Sequence, residues 1–130
     1  MRPFRKLVVS QKAHQLTVEL YQITRSFPRE EQYGLTSQIR RCSSSIGANI
    51  AEGCGRGTAR DFARFVQIAL GSASELEYHL LLAADLGFVT GEVYAPLETA
   101  VIDIKRMLTG LARRLLASAE ARRPRLTADG

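Results

Sequence analysis

The chain has 130 residues, 45% of them hydrophobic and 24% charged, with four prolines and no tryptophan. One mainly aliphatic core fits that size, and no stretch reaches the roughly 18 apolar residues of a membrane span. The net charge is +5 with fifteen arginines among eighteen basic residues, and Cys42 and Cys54 are the only cysteines, which leaves no paired-cysteine metal motif.

On one helix the two cysteines would lie about 18 Å apart, too far for a disulfide. Unpaired thiols, and a basic N-terminus without an apolar run long enough for a signal peptide, point to a reducing cytoplasm. The arginine bias suits bidentate contact with phosphate or carboxylate. Charge is unevenly placed: residues 1–60 hold ten basic and four acidic groups, residues 61–100 one and six, and residues 101–130 seven and three. Basic flanks around an acidic middle fit contact between subunits as well as they fit ordinary solvated faces.

A first helix is predicted over residues 8–27, where Val9, Ala13, Leu16, Leu20, Ile23 and Phe27 form one apolar stripe and Pro28 stops it. A turn over 29–34 leads to a second helix over 35–53, striped by Leu35, Ile39, Cys42, Ile46 and Asn49/Ile50. Ser43, Gly47 and Ala51 form a small-residue ridge on it. A glycine inside a helix costs about 1 kcal/mol against alanine, which close approach of another helix would offset. Gly47 is therefore assigned to helix contact, with Gly71, Ser72 and Ser74 of the third helix as the facing small residues. Gly53, Gly55 and Gly57 make the next turn, and Thr58 is the expected N-cap of a third helix over 58–86, with Asp61 completing the cap.

That third helix repeats Phe62, Phe65/Val66, Ala69, Ala73, Leu76, Leu80 and Ala83/Ala84, and Gly87 closes it. Thr90 opens a fourth helix over 92–121, striped by Val93, Leu97, Val101, Ile104, Leu108, Leu111 and Leu115, with Pro96 tolerated near its start. Residues 122–130 are expected to be a frayed basic tail. No strand-like alternation occurs, so the chain reads as all-α, an antiparallel up-down-up-down four-helix bundle.

The segment SSSIGANIAEGCGRGTARDFARFVQIALGSASELEYHLLLAADLG (43–87), with Gln38-Ile39-Arg40-Arg41 before it and Phe27-Pro28 and EQYGL (31–35) further upstream, carries a family resemblance. It resembles the four-helix proteins encoded in intervening sequences of 23S ribosomal RNA genes, a family that includes the accessory variability determinant of diversity-generating retroelements. The similarity spans about residues 5–118. Gly47 stands where many relatives have proline. The resemblance implies an antiparallel protomer assembled into a homopentameric ring with a central channel. In the retroelement branch it implies binding to nucleic acid and to a reverse transcriptase. In the ribosomal branch it implies no established activity.

Asn49, Glu52 and Arg56 form a polar trio beside the glycine turn. They read either as a site at one end of the bundle or as a hydrogen-bonded network in which Glu52 holds Arg56 and Asn49 fixes helix register. Arg40, Arg41, Arg56, Arg60 and Arg64 are the candidate phosphate-contacting residues, and Lys12, Lys105 and Arg106 are weaker ones. A ring would repeat such contacts five times. The alternative is a solvated face with salt bridges to acids of the third helix in the adjacent subunit.

Glu75 and His79 share a helix face, but no Glu-x-x-His motif occurs, so no metal site is expected. Cys54 beside Arg56 is a candidate for a lowered pKa, yet the sequence places no base beside it. GCGRGT (53–58) lacks the Lys-[Ser/Thr] of a phosphate loop. These readings lead to a cytoplasmic, non-enzymatic, cofactor-free, oligomeric nucleic-acid-binding or nucleoprotein scaffold. The alternative is an oligomeric protein-interaction adaptor, with a reverse transcriptase as one partner.

Overall fold

The four apolar stripes wind into helices α1 (Val8–Ile23), α2 (Leu35–Cys54), α3 (Ala59–Asp85) and α4 (Gly91–Ala121). The computed structural model describes residues 3–122, and among them there is no strand. The expected tail therefore lies outside the described residues apart from Arg122, which caps the end of α4.

Helix α1 stops four residues before Phe27. Thr24–Ser26 tightens into a 3-10 turn, and the Thr24 hydroxyl donates to the Leu20 carbonyl at 2.7 Å. Phe27 is then extended, as a residue before proline prefers. It stays buried all the same, packing on the Phe88 ring with centroids 5.5 Å apart. The α2 N-terminus is closed from outside the helix, by Glu31 Oε1 accepting from the Leu35 amide at 3.0 Å. Thr58 caps α3 by accepting from the Asp61 amide at 3.1 Å. At the far end of α3, Gly87 takes the left-handed conformation (φ 79°), and the Phe88 amide reaches back to the Ala83 carbonyl at 2.9 Å. Because α4 starts at Gly91, Pro96 lies inside the helix. Pro96 and Glu92 are both exposed, so the carbonyl that loses its helical donor is open to water.

The helices run alternately up and down, and each side chain bridge reflects that order. Thr17 donates to the Ser43 carbonyl across α1–α2, Ser45 and Ser72 share a hydrogen bond across α2–α3, and Lys105 donates to Glu77 across α3–α4. The stripes meet in one core whose fully buried members include Leu20, Ile39, Ile46, Ile50, Val66, Leu76, Leu80, Leu97, Val101, Ile104 and Leu108. Neither Cys42 nor Cys54 forms a disulfide among the described residues, and both are buried in it.

The small-residue assignment needs correction within this protomer. A Cβ placed on Gly47 or on Gly71 meets nothing within 4 Å, so neither glycine seats a neighbouring helix. The close approach occurs at Gly53 instead, where a Cβ would stand 2.7 Å from Phe62 Cδ1 and 3.1 Å from Phe65 Cβ. Of the facing residues expected on α3, Ser72 meets α2 through its bond to Ser45, whereas Gly71 and Ser74 are exposed.

Candidate nucleic-acid interface

The α2–α3 turn and the first two turns of α3 carry three of the five arginines singled out by the sequence, Arg56, Arg60 and Arg64. Arg56 donates to Glu52 Oε1 at 2.7 Å and lies 3.7 Å from Asp61 Oδ2. Arg64 donates to Asp61 Oδ1 at 3.1 Å. Both guanidiniums pack on one ring, Arg56 at 4.6 Å and Arg64 at 4.5 Å from the centre of Phe65. Asp61 and Phe65 thus hold two arginines in place, and two carboxylates offset their charge. The pairs are solvent-facing and contribute little to stability. Arg60 differs. It is exposed and has no ion pair among the described residues. With Gly57, Thr58, Ala59, Ala119 and Arg122 it lines a recess of about 530 Å³ where the start of α3 meets the end of α4.

Arg40 and Arg41 do not join this group. They precede Arg56 by about four turns, roughly 22 Å along the helix. Arg40 is half-buried: its Nε donates to Thr24 Oγ1 at 2.9 Å, its Nη2 to the Tyr21 carbonyl at 3.2 Å, and its guanidinium lies 4.8 Å from the Tyr21 ring centre. The cation therefore closes the C-terminal end of α1, where the helix dipole favours it, and is not free for phosphate. Arg41 is exposed and bonds to the Gln38 side chain one turn before it.

Residues 5–110 match the family model described as 23S rRNA-intervening sequence protein. The chain belongs to that family. A solved structure from Bacteroides thetaiotaomicron, a protein of unknown function from the S23 ribosomal protein family, has a TM-score of 0.74 and 28% identity over 82% of this chain and 99% of that one. No curated protein matches the chain.

In this family member the match ends inside α4, so Arg60 lies within it and Arg113, Arg114 and Arg122 lie beyond it. The antiparallel order brings them to one end regardless. Among the described residues that end gathers Arg5, Lys6, Arg56, Arg60, Arg64, Arg113, Arg114 and Arg122 against Glu52, Asp61 and Glu120. The opposite end carries Glu30, Glu31, Asp85, Glu92 and Glu98 against Arg25 and Arg29. Arg113, Arg114 and Arg122 are not among the candidates the sequence offers, because their proximity to Arg60 depends on how α4 packs. Of the weaker candidates, Lys105 is tied to Glu77, Lys12 is exposed beside α4, and Arg106 lines a second recess with Lys6 and Arg114.

The polar trio separates. Asn49 is half-buried, and its Nδ2 donates to the Ser45 carbonyl at 2.8 Å and to Ser45 Oγ at 3.0 Å. Ser45 Oγ in turn pairs with Ser72 Oγ at 2.9 Å, so Asn49 sets the rotamer of the residue that joins α2 to α3. Glu52, with 56% of its side chain exposed, belongs to the surface pair with Arg56 and takes no part in that joint.

Neither cysteine lies in an open turn. Cys54 is the last residue of α2 and is buried. Burial, and next the Glu75 carboxylate, push the Cys42 thiol up to about 12, so it is a protonated thiol near neutral pH. His14 is exposed at the rim of a recess between α1 and α2 that Gly47 also lines.

Proposed function

We propose that this family member is a nucleic-acid-binding scaffold whose basic end contacts phosphates. The observation that carries the reading is Arg60, exposed and without an ion pair among the described residues, facing Arg122 across a recess at the N-terminus of α3. A helix start supplies unpaired amides and a positive dipole end, and an unengaged guanidinium adds bidentate donors, a combination that suits a phosphate. Arg56 and Arg64 flank the recess and supply field more than free donors. Arg40 is dropped from the contact set, and Arg41 remains a peripheral member.

The reading includes self-assembly into a homopentameric ring. Support comes from Ile68, Tyr78 and Leu81 on α3 and Val18 and Tyr21 on α1, all of them large apolar side chains left exposed by the protomer. A ring would present the basic end five times and turn weak contacts into avid ones. The same apolar residues favour a second reading, an oligomeric adaptor that holds a protein partner such as a reverse transcriptase and has no nucleic-acid role. Two buried cysteines outside any disulfide suit a cytoplasmic setting, and among the described residues no helix is long and apolar enough to cross a membrane.

Fluorescence anisotropy with a structured RNA and with duplex DNA separates the two readings. Binding at low salt that Arg60→Glu with Arg122→Glu weakens at least tenfold, while light scattering shows the same copy number, supports the scaffold. No binding at low salt to either probe overturns it in favour of the adaptor.

A further inference from the structure

We propose that Cys42, Glu75 and His79 form a binding site for a divalent zinc-class metal ion at the seam between α2 and α3. The three side chains offer a sulfur, a carboxylate oxygen and an imidazole nitrogen, and these ligand atoms all lie within 4.8 Å of one another. Glu75 and His79 stand one turn apart on the same face of α3, with His79 Nε2 3.8 Å from Glu75 Oε2. Cys42 comes from the other helix. The Ser45–Ser72 hydrogen bond at 2.9 Å pins the two helices side by side, and Cys42 and Glu75 each lie one turn beyond it in the direction that keeps them together.

A second observation comes from His79 itself. Its Nδ1 is buried and has no hydrogen-bond partner, the only such side-chain atom among the described residues. A buried ring nitrogen with no partner is costly, and ligation through Nδ1, rather than through the Nε2 that lies beside Glu75, is what would supply the missing interaction. The surroundings suit a partly enclosed ion. Cys42 is 3% exposed, the His79 side chain 18%, and the Glu75 side chain 53%, so the sulfur is sheltered and the carboxylate opens a path from solvent.

A mixed sulfur, nitrogen and oxygen set is the donor chemistry of zinc more than of magnesium or calcium. Zinc bonds of about 2.0–2.3 Å in a tetrahedron bring ligand atoms to roughly 3.3–3.7 Å of one another. The ligand atoms, now within 4.8 Å of one another, must draw in to that range, and rotation of the Glu75 and His79 side chains on the more open side of the seam is the movement the proposal requires. Binding exchanges the Cys42 proton for the metal, and the proton passes to buffer. The resulting thiolate and the carboxylate cancel the ion's two positive charges, with His79 neutral, so the seam gains no net charge. Three protein ligands leave the fourth position to water on the Glu75 side.

The test uses the full chain, stripped with a chelator, kept reduced with a phosphine, and titrated with cobalt(II) and then zinc(II). The expected result is a thiolate-to-cobalt charge-transfer band that saturates near about one equivalent per chain and is displaced by zinc. Cys42→Ser should abolish the band and Cys54→Ser should keep it. Glu75→Gln and His79→Gln, on the more open side of the seam, should each weaken cobalt binding by roughly tenfold or more. If Cys42→Ser fails to fold, these two variants decide the matter. Absence of the band in the unaltered chain, its loss in Cys54→Ser, or cobalt affinity unchanged in both Glu75→Gln and His79→Gln would overturn the site and leave Glu75–His79 as a helix-surface pair only.

Discussion

Residues of one chemical type take different parts according to what surrounds them. Arg40 and Arg60 are both candidate phosphate ligands by sequence, yet Arg40 spends its donors on Thr24 and the Tyr21 carbonyl while Arg60 has no ion pair among the described residues. Replacing Arg40 by alanine therefore removes two hydrogen bonds across the α1–α2 contact. A loss of about 1–3 kcal/mol in urea unfolding is expected, against less than about 0.5 kcal/mol for Arg60→Ala. In the chelator-stripped chain Cys42 sets a pH dependence. Its thiol ionises near 9.0 in an unperturbed setting and near 12 in the fold, so between those values the unfolded chain binds fewer protons than the folded one. The stabilisation is fully present below about pH 9 and is lost as pH rises toward 12. Tyr94, raised from 10.0 to about 12 by its hydrogen bond to Glu98, acts in the same direction over the upper part of that window. Unfolding midpoints measured from pH 8 to 11 should fall, and Cys42→Ala should flatten the slope whatever it does to the midpoint at neutral pH.

At the scale of elements, the glycines of α2 show how a helix contact is decided. Gly47 and Gly53 lie on one helix, and sequence spacing favours Gly47 as the packing position. In the fold Gly47 borders an open recess and Gly53 lies under Phe62 and Phe65. Gly53→Ala should destabilise by about 1–3 kcal/mol, because Phe65 Cβ is close to its own backbone and cannot swing away. Gly47→Ala should stabilise by up to about 1 kcal/mol through helix propensity alone. Thermal melts of the two variants give opposite signs if this assignment holds. The helix ends tell a similar story. The Thr58 and Gly87 caps follow from local chemistry and were legible in the sequence. The early end of α1 reflects Thr24 bonding back to Leu20, which competes with the apolar stripe that runs on to Phe27.

At the scale of the whole molecule, antiparallel packing converts a charge pattern spread along the chain into a polarity along the bundle. Basic groups from the first residues, the α2–α3 turn and the last turns of α4 reach one end, and acids from the other turns reach the opposite end. Contacts made by such an end are sequence-independent and salt-sensitive. Removing two phosphate contacts by Arg60→Ala with Arg122→Ala should reduce the slope of log K against log salt by roughly 1.4–1.8, the smaller figure for single strands. Anisotropy titrations from 25 to 200 mM salt (about those limits) read this directly, and an unchanged slope would place the contacts elsewhere.

The sequence by itself determined the four helices, their alternating order, the caps at Thr58, Gly87 and Thr90, and the family. These depend on periodicity, on turn residues and on a motif that is contiguous in the chain. Only the tertiary structure decided which small residue is crowded, which arginine is spent, and which distant side chains meet. Glu75 and His79 are visible as neighbours because they are four residues apart on one helix. Cys42 joins them, and Arg122 joins Arg60, only because packed helices bring together residues that no local spacing relates.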